Sequence, residues 1–118
     1  MSRPVPQPSA DHPITVEQST EKVTVLLDGQ TLASTERALL LREADYPVAY
    51  YVPREDLVAD AFTSSDTSTY CPFKGDASYL SVGDTTDVGW TYEEPYDAVA
   101  EIAGHVAFYP NKVDIQVA

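Results

Sequence analysis

The sequence has 118 residues, and its 7 Lys and Arg against 19 Asp and Glu give a formal net charge of −12 at pH 7. This length indicates one domain that buries a core without metal or disulfide support. A single cysteine, Cys71, excludes an internal disulfide and a zinc site built on several thiolates. Because nucleic acids and anionic membranes repel a protein this acidic, we predict neither as a partner.

The N-terminal residues 1–11 predict a flexible arm, since Pro4, Pro6 and Pro8 stand among polar residues. They contain no apolar segment of the secretory-signal type, and no apolar run reaches the roughly 18–20 residues of a membrane span. We therefore expect a cytoplasmic protein with one domain over residues 12–118. His12 is expected to anchor the arm against this domain.

Alternating apolar residues predict strands in the first half of the domain. The stretch KVTVLLDGQ is typical of a strand that ends in a hairpin turn. A second strand is predicted in TLASTERALLLRE, and a third in YPVAYYVP, which prolines bracket. Arg37 is placed on the second strand, with Glu43 or an acid across the sheet as its expected partner. Pro53 begins PREDLVADAF, which predicts a short helix.

The second half is predicted as a polar loop, four further strands and a second short helix. TSSDTST forms the loop, and a strand leaves Gly75 and returns through VGWTYEEP. PYDAVAEIAG predicts the helix, with Gly104 as its end, and HVAFYP and KVDIQV predict the last strands. About seven strands and two short helices without strand–helix alternation predict a mainly β fold of antiparallel sheets.

The stretch Cys71-Pro72-Phe73-Lys74-Gly75 has two interpretations. A thiol becomes nucleophilic beside positive charge, so Lys74 and His105 are candidate helpers for a catalytic Cys71. The acidic surroundings disfavour a thiolate, and free cysteines are usually buried as small hydrophobes. Because Pro72 and Gly75 also suit a sharp bend, a structural strand corner is the favoured interpretation.

The aromatic residues predict a ligand pocket. Eight Tyr, one Trp and three Phe are many for this length, and neighbours such as Tyr50 and Tyr51 must point to opposite faces of a strand. Some of these rings therefore leave the main core, and Trp and Tyr commonly line pockets for small ligands. Ordinary cross-strand packing is the alternative for each ring. The predicted ligand-binding residues are Trp90, Tyr92, Tyr79, Tyr51 and Tyr109, with Arg37 as a candidate partner for a ligand carboxylate.

Four stretches carry a family resemblance: HPITV, ERALLLREADYPVAYYVPREDL, STYCPFKGDASYLSV and WTYEEPYDAVAEIAGHVAFYPNKVD. From His12 to about Asp114 the chain closely resembles the bacterial family catalogued as domain of unknown function 427. The resemblance implies a β-tent-like arrangement of two antiparallel sheets with two short helices, as in B-type methionine sulfoxide reductases and the drug-binding domain of cereblon. It implies no established activity, and the two C-x-x-C zinc knuckles common in β-tent relatives are absent here.

The leading functional prediction is a small protein that binds a neutral or cationic ligand in an aromatic cleft, since aromatic faces and an acidic field both attract cations. One alternative is a thiol-dependent enzyme with Cys71 as nucleophile. The other is a structural or protein-docking module without a small ligand. No metal and no cofactor is predicted, and both a monomer and a dimer remain open.

Overall fold

The computed structural model describes residues 7–118, and it consists mainly of strands in two antiparallel sheets. The predicted mainly β fold is thereby confirmed. No helix in this described part of the chain is long and apolar enough to cross a membrane. The ten strands are β1 (Ile14–Gln18), β2 (Val23–Leu27), β3 (Gln30–Thr35), β4 (Leu39–Glu43), β5 (Ala49–Pro53), β6 (Thr63–Cys71), β7 (Gly75–Val82), β8 (Thr85–Thr91), β9 (His105–Phe108) and β10 (Asp114–Val117).

Seven strands form the larger sheet in the order β1-β4-β5-β9-β8-β7-β6, and three form the smaller sheet in the order β10-β2-β3. Each pair of neighbouring strands is antiparallel. The edge strands of the larger sheet are therefore β1 and β6.

The larger sheet buries apolar residues on both faces. On one face Val52, Val106 and Phe108 pack with Val23 and Val25 of the smaller sheet. A second cluster on the other face contains Tyr51, Tyr92, Ala107, Val99 and Ile102. This arrangement explains the paired aromatic residues, because Tyr50 packs against the first cluster while its neighbour Tyr51 belongs to the second.

The larger sheet curls so strongly that segments beside its two edges meet. His12, just before the edge strand β1, stacks on Phe73 of the β6–β7 turn with ring centroids 4.0 Å apart. In a flat sheet, four spacings of about 4.8 Å would hold β4 and β7 about 19 Å apart. Lys74, the residue before β7, nevertheless bonds to Glu43 at the end of β4. The second cluster therefore lies on the concave face of a curled sheet.

Two predictions about strands are wrong. The polar loop TSSDTST is part of β6, an edge strand whose side chains are mostly exposed, so its polar composition reflects its position in the sheet. The predicted second strand is two strands, β3 and β4, which belong to different sheets. They are separated by a turn in which the Arg37 amide donates to the Thr35 hydroxyl over 2.9 Å.

The two predicted short helices are 3-10 turns. Arg54–Asp56 and Ala59–Ala61 are single turns, and in Asp97–Ile102 the backbone of Val99 is not helical (φ −130°). Segments this short do not form a stable α-helix by themselves. Buried Val99 and Ile102 instead hold the last segment against the second cluster. Residues 1–6 of the predicted arm lie outside the described residues.

We predict that Gly89→Ala lowers the free energy of unfolding by about 1–3 kcal/mol, because an added Cβ would stand 2.7 Å from the carbonyl oxygen of Ala107. Chemical denaturation measures this change. Ser78→Thr is the control, since it adds a methyl group at an exposed position of the neighbouring strand and should change stability by less than about 0.5 kcal/mol. Equal effects of the two substitutions would contradict the close approach of β8 and β9.

Candidate functional site

A cavity of about 440 Å³ opens on the concave face of the larger sheet. We call it the aromatic pocket. Its walls come from β4, β5, β7, β8, the β4–β5 loop, the β6–β7 turn and the end of β9. All five aromatic residues that the sequence predicts for ligand binding lie in this lining: Tyr51, Tyr79, Trp90, Tyr92 and Tyr109.

Strand register brings these rings together. Tyr79 in β7 is directly opposite Trp90 in β8, and Trp90 is opposite the small side chain of Ala107 in β9. Trp90 Nε1 donates a hydrogen bond to the Tyr51 hydroxyl over 3.1 Å. The Tyr109 ring lies with its centroid 4.5 Å from that of Trp90. Trp90 therefore contacts a tyrosine on each of two sides.

The hydroxyls of Tyr51, Tyr92 and Tyr109 stay protonated at neutral pH. Burial, followed by the hydrogen bond to Tyr79, raises the pKa of Tyr109 to about 12. Burial also raises the pKa of Tyr51 and of Tyr92. At the outer side of the pocket, Tyr79 shares hydrogen bonds with Tyr109 over 3.4 Å and with Thr69 over 2.9 Å. The pocket therefore offers neutral phenols, which donate hydrogen bonds at any physiological pH.

A buried ion pair lies in the same lining. Lys74 Nζ donates to Glu43 Oε1, and each side chain is only 10% exposed. The other carboxylate oxygen of Glu43 is 2.8 Å from His12 Nε2. Burial by itself would raise the pKa of Glu43, but the hydrogen bonds from Lys74 and His12 outweigh it and lower the pKa. Glu43 is thus a carboxylate with both oxygens engaged.

His12 contacts three other parts of the domain. Besides its contact with Glu43, its ring stacks on Phe73 with an interplanar angle of 5°. The Tyr46 ring meets it edge-on at a centroid distance of 6.4 Å. His12 therefore joins the segment before β1 to the β6–β7 turn and to the β4–β5 loop.

Of the three candidates for thiol catalysis, Cys71 and Lys74 lie at the same hairpin, and His105 begins β9. Cys71 ends β6 and Gly75 begins β7, so the stretch is a hairpin turn, in which the Lys74 amide donates to the Cys71 carbonyl over 3.2 Å. The Lys74 ammonium bonds to Glu43, and His105 Nδ1 lies 2.9 Å from the Ala103 carbonyl oxygen. Cys71 packs against the second cluster.

Arg37 lies away from the aromatic pocket. It pairs with Asp56 at 3.1 Å and with Glu55 at 3.3 Å, on a separate polar depression of the surface. Of the two expected kinds of partner, Glu43 is not the one used, because it is bound to Lys74 and His12. Arg37 lies in the turn between β3 and β4 and pairs with other acids.

Glu43 and the β4–β5 loop are the site features that sequence reasoning missed. The loop contributes Tyr46, Pro47 and Val48 to the rim of the pocket, and Tyr46 is 64% exposed. Glu43 could have been found from the strand alternation, because it follows Leu39 and Leu41 on the apolar face of β4. A lone carboxylate on such a face requires a buried partner.

Between residues 7 and 118, no group of three or more His, Cys, Asp or Glu side chains is arranged to hold a metal ion. The fold and the pocket together define a small antiparallel β-protein with an aromatic cavity on the concave face of a curled sheet. The chain belongs to the family described as Domain of unknown function (DUF427), whose match covers residues 15–118, nearly the whole chain. No curated protein matches it. Membership confirms the family resemblance and assigns no reaction.

We predict that Glu43→Gln lowers the free energy of unfolding at pH 7 by about 3–5 kcal/mol, because it leaves the Lys74 ammonium buried without a counter-charge. Denaturant titration measures the loss. The matched control is Glu17→Gln, which breaks an exposed pair with Arg42 and should cost less than about 1 kcal/mol. Replacing both Glu43 and Lys74 by Met should recover most of the stability. A loss for Glu43→Gln no larger than the control's would show that the pair is not buried.

The same pair predicts how stability depends on pH. Since the pKa of Glu43 in the folded protein lies below its ordinary value of 4.5, its ionisation stabilises the fold above about pH 4.5 and this contribution is lost as the pH falls through the folded value. The stability difference between the native protein and Glu43→Gln should therefore shrink on acidification below pH 4.5. Thermal unfolding at a series of pH values tests this, and a difference that grows below pH 4.5 would contradict the lowered pKa.

Proposed function

We propose that this protein binds a small neutral or cationic molecule in the aromatic pocket. The observation that carries the proposal is the convergence of five aromatic side chains from four strand regions on one cavity of about 440 Å³. Cavities of this size, with apolar walls and a few polar groups, are typical of small-molecule sites. A protein that needed these rings only for its core would pack them without leaving such a cavity.

Charge favours neutral and cationic ligands over anions. Within the pocket the charges of Lys74 and Glu43 compensate each other, and the protein as a whole carries a net charge of −12. The faces of Trp90 and Tyr109 also attract cations rather than anions. An anionic ligand would therefore meet no uncompensated positive charge in the pocket lining.

The proposal is tested by NMR, with both ligand and protein signals observed, against a small library of amines, betaines and cyclic imides. Trp90 is the sole tryptophan, so its indole N–H signal reports directly on the pocket. We expect binders to shift this signal. Ala49→Phe places a ring in the pocket lining and should abolish the shifts, while Ala98→Phe at an exposed position should preserve them.

A library that leaves the Trp90 signal unchanged, or shifts it equally in Ala49→Phe, would overturn the proposal. Ligand-independent self-association through the exposed Tyr46 and Val48 at the pocket rim would instead favour the docking-module alternative.

A further inference from the structure

Three hydrogen-bond donors of the aromatic pocket are deeply buried. They are the Lys74 ammonium and the hydroxyls of Tyr51 and Tyr92, all of which belong to lining residues. These residues are 8%, 1% and 6% exposed. The Tyr92 hydroxyl oxygen is not among the fully buried polar atoms that lack a partner in the described part of the chain, so a molecule in the pocket can reach it. The acceptors that the protein itself offers to these donors can be counted.

The three donors carry more protons than the described residues around them accept. The Tyr92 hydroxyl has no hydrogen-bond partner among residues 7–118. The Tyr51 hydroxyl accepts from Trp90 Nε1, so its own proton still requires an acceptor. The Lys74 ammonium has three protons; Glu43 accepts from it, and its nitrogen stands 5.9 Å from the centre of the Tyr92 ring.

The charged acceptor of the pocket is already engaged. Both carboxylate oxygens of Glu43 have partners, Lys74 on one side and His12 on the other. The Trp90 indole N–H is also used, because it donates to Tyr51. A cationic ligand would therefore compete with Lys74 and His12 for Glu43 and would stand close to the Lys74 ammonium, whereas a neutral oxygen acceptor could accept from Tyr92 and Lys74 without that repulsion.

We propose that the ligand of this pocket is a neutral molecule with a flat apolar body and a carbonyl oxygen that accepts hydrogen bonds from Tyr92 and Lys74. The inference rests on the proposed function and narrows it. Of the neutral and cationic ligands proposed above, it selects the neutral ones, and it names the polar group that they carry. The flat body lies against Trp90 and Tyr109, whose rings form the apolar wall. A carboxylate is disfavoured because it would add a second negative charge beside Glu43.

The test uses four probes that share one ring and differ in the polar group: benzamide, benzylamine, benzoate and toluene. Their dissociation constants are measured from the Trp90 indole N–H shift of the full chain. We expect benzamide to bind most tightly, since it alone combines neutrality with a carbonyl oxygen.

Tyr92→Phe removes the hydroxyl and retains the ring. We expect it to weaken benzamide binding by about 3–10-fold, the effect of one lost hydrogen bond, and to leave toluene binding unchanged. Tyr46→Phe is the matched control, because Tyr46 belongs to the same lining but is exposed at the rim. It should change the affinity of no probe.

The possible outcomes separate the two proposals. The carbonyl inference is overturned if benzylamine or benzoate binds more tightly than benzamide. It is also overturned if Tyr92→Phe weakens the binding of toluene and benzamide alike. Either result would leave the proposal of ligand binding in the aromatic pocket intact. If none of the four probes and no member of the larger library shifts the Trp90 signal, both proposals fail. The order of the four affinities in the unaltered protein tests the inference even if Tyr92→Phe does not fold.

Discussion

The curl of the larger sheet, closed by Glu43, Lys74 and His12, is the constraint on which the rest of the structure depends. These residues come from the end of β4, the β6–β7 turn and the segment before β1, positions that a flat sheet would hold far apart. A buried ion pair contributes little net stability over apolar packing, but it penalises arrangements that separate its members. Separating β4 from the β6–β7 turn would leave the Lys74 ammonium buried without its counter-charge, so the pair favours the curved arrangement that has the concave face.

The pocket follows from what the strands place on that face. The cross-strand register puts Tyr79, Trp90 and the small Ala107 in one row, so the indole ring has room beside its neighbours. Tyr51 and Tyr109 then meet Trp90 from two sides. Pairing of β7 with β8 brings Lys74 beside Tyr92, which adds polar donors to an apolar wall. Sheet curvature and strand register together thus give the pocket its rings and its donors.

Much of this architecture could be predicted from the sequence, for identifiable physical reasons. Period-2 alternation predicts the β class, and paired aromatics such as Tyr50 and Tyr51 predict rings on both faces of a strand, where the structure places them in two separate clusters. The partner of Lys74 could not be predicted, because it lies 31 residues away in the chain and depends on sheet curvature. The polar edge strand β6 was mistaken for a loop, since an exposed strand and a loop have similar compositions.

The most direct test of this account is a nuclear Overhauser measurement between the ring protons of His12 and Phe73 in the free protein. His12 precedes the edge strand β1 and Phe73 lies in the turn that follows the edge strand β6. Their ring centroids are 4.0 Å apart, a contact that a flat sheet would not allow. The account predicts strong cross-peaks between the two rings. Their absence, with the sheet signals otherwise intact, would show that the edges are apart and that the pocket does not have the shape described.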